Sequence, residues 1–163
     1  MVKFFQKKKK NNKGFSLVEL IVVIAIMAVL VGVLAPTLIR KVEESRLSKD
    51  KQNLDNLRQA IVTALADEDF ADTTGEEELK ITATDNAITI SDNKFSEGFK
   101  DEVDKNFDLG FSLTSKLKKG CTVKIIVNGE SNVIIGVNPT DDSIKDNDDY
   151  KFNLPIDATV TFE

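Results

Sequence analysis

Glu19 is the only charged residue between Phe15 and Ile39, in the run FSLVELIVVIAIMAVLVGVLAPTLI. An unpaired carboxylate near the middle of a bilayer costs about 2.5–3.5 kcal/mol, and less near an end. Two chemistries could carry it. In the first, Ser16 is a helix N-cap and Glu19, three residues on, accepts a hydrogen bond from the Ser16 N–H, as in a capping box. In the second, the chain is cut after Gly14, so that Phe15 carries a free α-ammonium. That cation pairs with Glu19 of a neighbouring copy, and both charges are neutralised in an apolar setting. The spacing fits both.

Other reactive residues offer less. The sequence has no His, which removes imidazole base catalysis and His metal ligation, and its single Cys can form neither an intrachain disulfide nor a thiolate zinc site. Cys121 opens an apolar run with no His to activate it and reads as an inert, buried thiol. Asp141, Asp142, Asp146, Asp148 and Asp149 crowd one segment, DDSIKDNDDYK. Their oxygens suit calcium, but Tyr150 takes the fifth position counted from Asp146 and no Gly follows, so the EF-hand spacing fails. The segment reads as a solvated loop. No catalytic constellation, metal or cofactor is expected, and the chain reads as a non-enzyme.

The elements around Glu19 define the layout. The first 14 residues, MVKFFQKKKKNNKG, hold six lysines and no acid. The rest carries 16 basic residues against 27 acidic, a net charge of −11. Such a body is a poor partner for nucleic acid. Phe15 to Ile39 as a helix is about 37 Å long, enough to cross the roughly 30 Å hydrocarbon core. The leading lysines place the N-terminus on the cytoplasmic side and the body outside. A secretory signal cut after Val33-Leu34-Ala35 is disfavoured, because the apolar run is too long and Pro36 would follow the cut. Pro36 also removes a hydrogen bond to the Gly32 carbonyl, so a kink or local unwinding is expected at Gly32 and Pro36.

Beyond the span, Leu47, Leu54, Leu57, Ile61, Ala64 and Leu65 recur at helical spacing. Lys49, Asp50, Lys51, Asp55 and Arg58 are assigned to water or to neighbours. One helix is expected from about Phe15 to about Asp67, apolar all round in its first half and amphipathic in its second. An acidic linker, Asp67 to Glu78, ends it. The period then falls to two. A hairpin is expected from Leu79–Ala83 and Ile88–Ile90, then a short helix from near Ser96 carrying Phe99, Val103 and Phe107. Next come a hairpin of Thr122–Val127 and Val133–Val137 about Asn128-Gly129, and alternation at Tyr150, Phe152 and Leu154 and at Ala158, Val160 and Phe162, broken by Pro155. The fold class is α+β, with the amphipathic half of the helix packed on an antiparallel sheet.

The stretch KGFSLVELIVVIAIMAVL resembles the N-terminal signature of type IV pilins and pseudopilins: a basic leader, Gly, Phe, Ser/Thr, Leu, a variable residue and Glu, then a long apolar run. Gly14, Phe15, Ser16, Leu17 and Glu19 match, and so does Pro36 near the outer end of the span. The resemblance covers about Lys9 to Pro36. It implies cleavage between Gly14 and Phe15 by a prepilin peptidase, N-methylation of Phe15, and assembly with identical or related subunits through Phe15 and Glu19, helped by assembly machinery in the membrane. The organisation expected is a leader at 1–14, a span and filament-core half at 15–39, an amphipathic half at 40–67 and a sheet head at 68–163. The subunit would sit in membrane lipid, single-pass, before assembly and in an extracellular pilus after it. The alternatives are a pseudopilin of a type II secretion or competence machine and a monomeric membrane-anchored module. One Cys forbids the C-terminal disulfide of many Gram-negative pilins, and the Lys, Asn and Ile usage leans toward a Gram-positive source.

Overall fold

A computed structural model of the chain describes residues 14–82, 84, 88, 95, 97–107, 111–128, 132–155 and 157–162. The chain divides into two units, Met1–Arg40 and Lys41–Glu163. A single helix, α1, runs from Leu17 to Ala64 and contributes to both. It is helical at every residue, Gly32 and Pro36 included. The other elements are β1 (Thr74–Thr82), α2 (Phe99–Asn106), β2 (Gly120–Asn128), β3 (Val133–Pro139) and β4 (Phe152–Leu154), with 3-10 turns at Lys116–Lys119 and Asp148–Tyr150.

In the second unit, the strands form one antiparallel sheet in the order β1-β2-β3-β4. The expected β2–β3 hairpin is present, with Val127 opposite Val133 and Val123 opposite Val137. Asn128 N–H closes onto the Asn132 carbonyl, while 129–131 lie outside the described residues. Because side chains alternate along a strand, Val123, Ile125 and Val127 share one face with Val133, Ile135 and Val137. All six are buried, in one core with Leu47, Leu54, Leu57, Ile61 and Ala64 of α1 and Phe99 and Val103 of α2. The helix is β2's natural cover, since its buried stripe is a long apolar face in the same core.

Three expectations change. The acidic linker is shorter than expected, because Thr74 to Glu78 already pair with β2. β1 takes β2 as its partner, with Leu79 opposite Val123. Ile88 is buried and its N–H bonds the Phe111 carbonyl outside any strand, while Ala83, Asp85, Asn86 and Ile90 lie outside the described residues. A long apolar strand such as β2 offers β1 more buried pairing than a two-residue alternation can. The short helix starts at Phe99, after Gly98 at φ +80°, a left-handed conformation that glycine adopts without strain. Ser96 lies outside the described residues.

The C-terminal alternation also resolves differently. Tyr150 closes a 3-10 turn, β4 is only three residues, and residues 158–162 join no strand. They lie on the sheet face away from the core. Asn153 Nδ2 donates to the Ala158 carbonyl at 2.9 Å, and Lys124 Nζ donates to the Thr161 carbonyl at 3.0 Å. Lys124 also pairs with Glu76 at 2.6 Å. Val160 rests on Gly136, where an added Cβ would stand 2.8 Å from the Val160 Cβ and 2.9 Å from both of its methyls. Gly136→Ala should therefore cost about 1–3 kcal/mol by overpacking. Urea denaturation of the full chain in detergent measures it, and Val160→Gly in the same chain should recover part of the loss. A Gly136→Ala chain as stable as wild type would mean that the terminal segment simply lifts away.

Candidate processing and assembly site

Gly14, Phe15 and Ser16 precede α1 and have no regular structure. A Cβ built on Gly14 meets nothing within 4 Å, and Phe15 is 86% exposed. Among the described residues, nothing crowds the Gly14-Phe15 bond. Ser16 is the hinge into the helix: its carbonyl accepts from the Leu20 N–H at 3.2 Å, and its N–H donates to Glu19 Oε2 at 2.9 Å. The side chain of Glu19 therefore makes the back-bond of a capping box, satisfying one of the amides a helix start leaves open. It also puts an acid in the first turn, where the helix dipole favours it.

After Glu19 the helix is bare apolar surface. Every Val, Leu, Ile and Met from Leu20 to Ile39 is exposed in the isolated chain. The helix is long and apolar enough to cross a membrane. Gly32, like Gly14, has open space around it. Water is a poor solvent for such a surface, and the helix is consistent with membrane anchoring.

A second set of groups was not expected. Asp50 is fully buried on the core side of α1, where a water-facing position was expected. Its Oδ1 accepts from Thr114 N–H at 2.9 Å and from Thr114 Oγ1 at 2.9 Å, and its Oδ2 accepts from Ser115 N–H at 2.8 Å. Two turns earlier, Glu43 Oε1 accepts from Lys116 N–H at 2.6 Å and from Tyr150 O–H at 3.0 Å. These two carboxylates fasten the 114–116 loop and the Tyr150 turn to the helix. Burial and then the bond to Glu43 push the Tyr150 hydroxyl up to about 12, so it stays a neutral donor. Burial is also the first cause that pushes the Cys121 thiol up to about 12, with the Asp50 charge adding to it. Cys121 is therefore buried and unreactive.

The signal for Asp50 was a gap. Leu47 and Leu54 are seven apart, and position 50 fills the missing step of the stripe, as Glu43 extends it by one turn. The acidic 141–149 segment is internally satisfied in part: Asp141 caps Ser143, which holds its carboxyl below the usual range, Asp142 pairs with Lys145, and Asp148 pairs with Lys151. Among the described residues, no group of three or more acidic or Cys side chains is placed to hold a metal.

Comparison with known proteins adds to the N-terminal picture. Residues 9–35 match the prokaryotic N-terminal methylation motif. The chain is similar to a prepilin peptidase-dependent protein A of Clostridium perfringens, 33% identical over 84 residues, which are 51% of this chain and 59% of the relative. The chain thus spans little more than half the length of that relative. No solved structure matches the chain significantly. With the Glu19 carboxylate bonded back to Ser16 and the bare apolar helix behind it, the N-terminal segment is similar to that of type IV pilin-like proteins and carries the prokaryotic N-terminal methylation motif.

Proposed function

We propose that the chain is a type IV pilin subunit, cleaved between Gly14 and Phe15, methylated on Phe15, and polymerised through the apolar half of α1 into a surface filament. The observation that carries this reading is the coincidence of the methylation motif at 9–35 with a helix whose Val, Leu, Ile and Met residues from Leu20 to Ile39 all lie exposed. A plain anchor would need the apolar length but not the Gly-Phe junction or Glu19. Before assembly the helix spans the membrane, with the lysine-rich leader on the cytoplasmic side and the second unit outside. The prepilin peptidase acts on the leader, as the name of the Clostridium perfringens relative suggests for that protein. Copies of the same chain then bury the helices that lipid buried before. At Pro36 the helix lacks one backbone donor, which makes the turn from Gly32 the easiest place for it to bend as it packs.

Processing is the direct test. Gly14 offers the peptidase an unobstructed backbone, and Val in its place adds a branched side chain at the bond to be cut. Gly14→Val should leave more than nine-tenths of the chain as precursor, read by mass spectrometry of the membrane fraction. In wild type, sheared surface filaments should yield a chain that begins with methylated Phe15. A Gly14→Val chain cut and assembled at the wild-type level would remove the main support for this reading.

A further inference from the structure

The exposed face of α1 in the second unit is basic. From Lys41 to Arg58 it carries Lys41, Arg46, Lys49, Lys51 and Arg58 against four acids. Two of the four are engaged with the head: Asp50 holds Thr114 and Ser115, and Glu43 holds Lys116 and Tyr150. The other two, Glu44 and Asp55, pair with Lys41 and Arg58. Lys51 lies over the Phe152 ring. Arg46 and Lys49 are exposed and have no acidic partner among the described residues.

The opposite charge stands at the other end of the same stretch. The turn after α1, DEDFAD, places Asp67, Glu68, Asp69 and Asp72 in six exposed or half-exposed residues with no basic residue among them. Lys105, which feels the Asp67 charge, is bonded to Glu102. None of the four acids has an ion-pair partner among the described residues. Lys49 and Ala64 are fifteen helical residues apart. The two charged surfaces are therefore separated by about 22 Å along the axis and cannot meet within one molecule.

We propose that they are the two halves of one contact between copies of this chain: the face around Arg46 and Lys49 of one copy receives the 67–72 turn of the next. The inference rests on the filament reading. Both halves occur on one chain, both are left unneutralised, and their charges are complementary, which is why the partner is a second copy. The contact joins two different patches, so it is heterologous. A heterologous contact repeats from copy to copy, and in the proposed filament it runs as an open row with successive copies offset along the helix. Ser45, Ser48, Gln52 and Asn56, all exposed along the same helix, are small or uncharged and leave the approach clear.

Charge reversal in the full chain tests it. Arg46→Glu with Lys49→Glu, or Asp67→Lys with Asp69→Lys, should each lower the yield of sheared filaments about tenfold, as several paired charges become repulsive. All four changes together should restore most of the yield. Reversals without effect, or a combined variant no better than either pair, would overturn the contact. A second measurement is direct. Lys49→Cys with Asp69→Cys should give a ladder of disulfide-linked oligomers on mild oxidation, because these positions are too far apart to bridge within one chain, and Cys121 is buried. A chain that stays monomeric overturns the proposal. So does an Arg46/Lys49 reversal that lowers binding to phosphatidylglycerol vesicles but leaves filaments intact, since the face would then serve lipid. If wild type makes no filaments, the filament reading fails separately, and the cysteine pair in membranes still decides whether the copies touch here.

Discussion

Asp50→Ala should destabilise the second unit by roughly 3–5 kcal/mol. The carboxylate is fully buried and takes bonds from two backbone amides and one hydroxyl. Deleting it leaves the Thr114 and Ser115 N–H groups facing a hole where water has little access. Each buried donor without a partner costs about 1–3 kcal/mol, and the missing side-chain volume adds to that. A domain of this size is stable by about 5–15 kcal/mol in all, so the loss is a large fraction. Asp50→Asn is the sharper comparison. Asn keeps the shape and one acceptor oxygen, but it turns an NH2 toward donors that need an acceptor. It should lose at least half as much as Ala does. Urea denaturation of the full chain in detergent gives the differences. Hydrogen exchange at Thr114 and Ser115 should rise well before global unfolding in both variants. A change of less than about 1 kcal/mol for Asp50→Ala would mean that the loop carries itself and that the carboxylate only decorates it.

Asp50 also marks where the sequence stops being legible. The helix could be read because apolar residues repeat at its own period, and the observed α1, Leu17–Ala64, lies within the expected span. The β2–β3 hairpin could be read because two apolar runs flank Asn-Gly, a pairing that needs only local information. The β1–β2 pairing could not. Ile81 and Cys121 are partners forty residues apart, and nothing in either strand encodes the other. Asp50 finds its donors 64 and 65 residues on, in a loop without a pattern. In the sequence it stands between two lysines and looks solvated. Only the seven-residue gap from Leu47 to Leu54 hinted at a buried position. Residues 158–162 were misread for a related reason. Alternation shows which side chains share a face, but it does not say whether the backbone pairs. Here side chains do the holding, from Lys124 and Asn153. By contrast, the reading of Gly14, Phe15 and Glu19 rests only on the order of a few adjacent residues, inside the stretch 9–35 that matches the methylation motif.

Glu19→Gln should insert into the membrane, be cleaved after Gly14, and fail to extend filaments normally. The residue has two possible employments, and the variant separates them. In the uncleaved chain, Glu19 Oε2 accepts from the Ser16 N–H at 2.9 Å. Gln can make the same bond through its amide oxygen, so a capping role loses only a few tenths of a kcal/mol, mainly the favourable charge at the helix start. Cleavage changes the chemistry. Phe15 gains an ammonium group, and in the proposed filament that group meets the Glu19 carboxylate of a neighbour in apolar surroundings. Gln then leaves the cation without its counter-charge. Breaking a buried pair from one side costs roughly 3–5 kcal/mol, an upper figure near a membrane face where water and headgroups soften the penalty. Half of that lowers a subunit association constant by one to two orders of magnitude. Insertion moves the other way, since removing a charge from the apolar run makes partitioning slightly easier. The measurement compares sheared filament yield with the amount of processed subunit in the membrane, at equal expression. A pool of cleaved, unassembled Glu19→Gln subunit supports the charge pair. Normal filaments from the variant would sink it and leave Glu19 as the cap that the free chain displays.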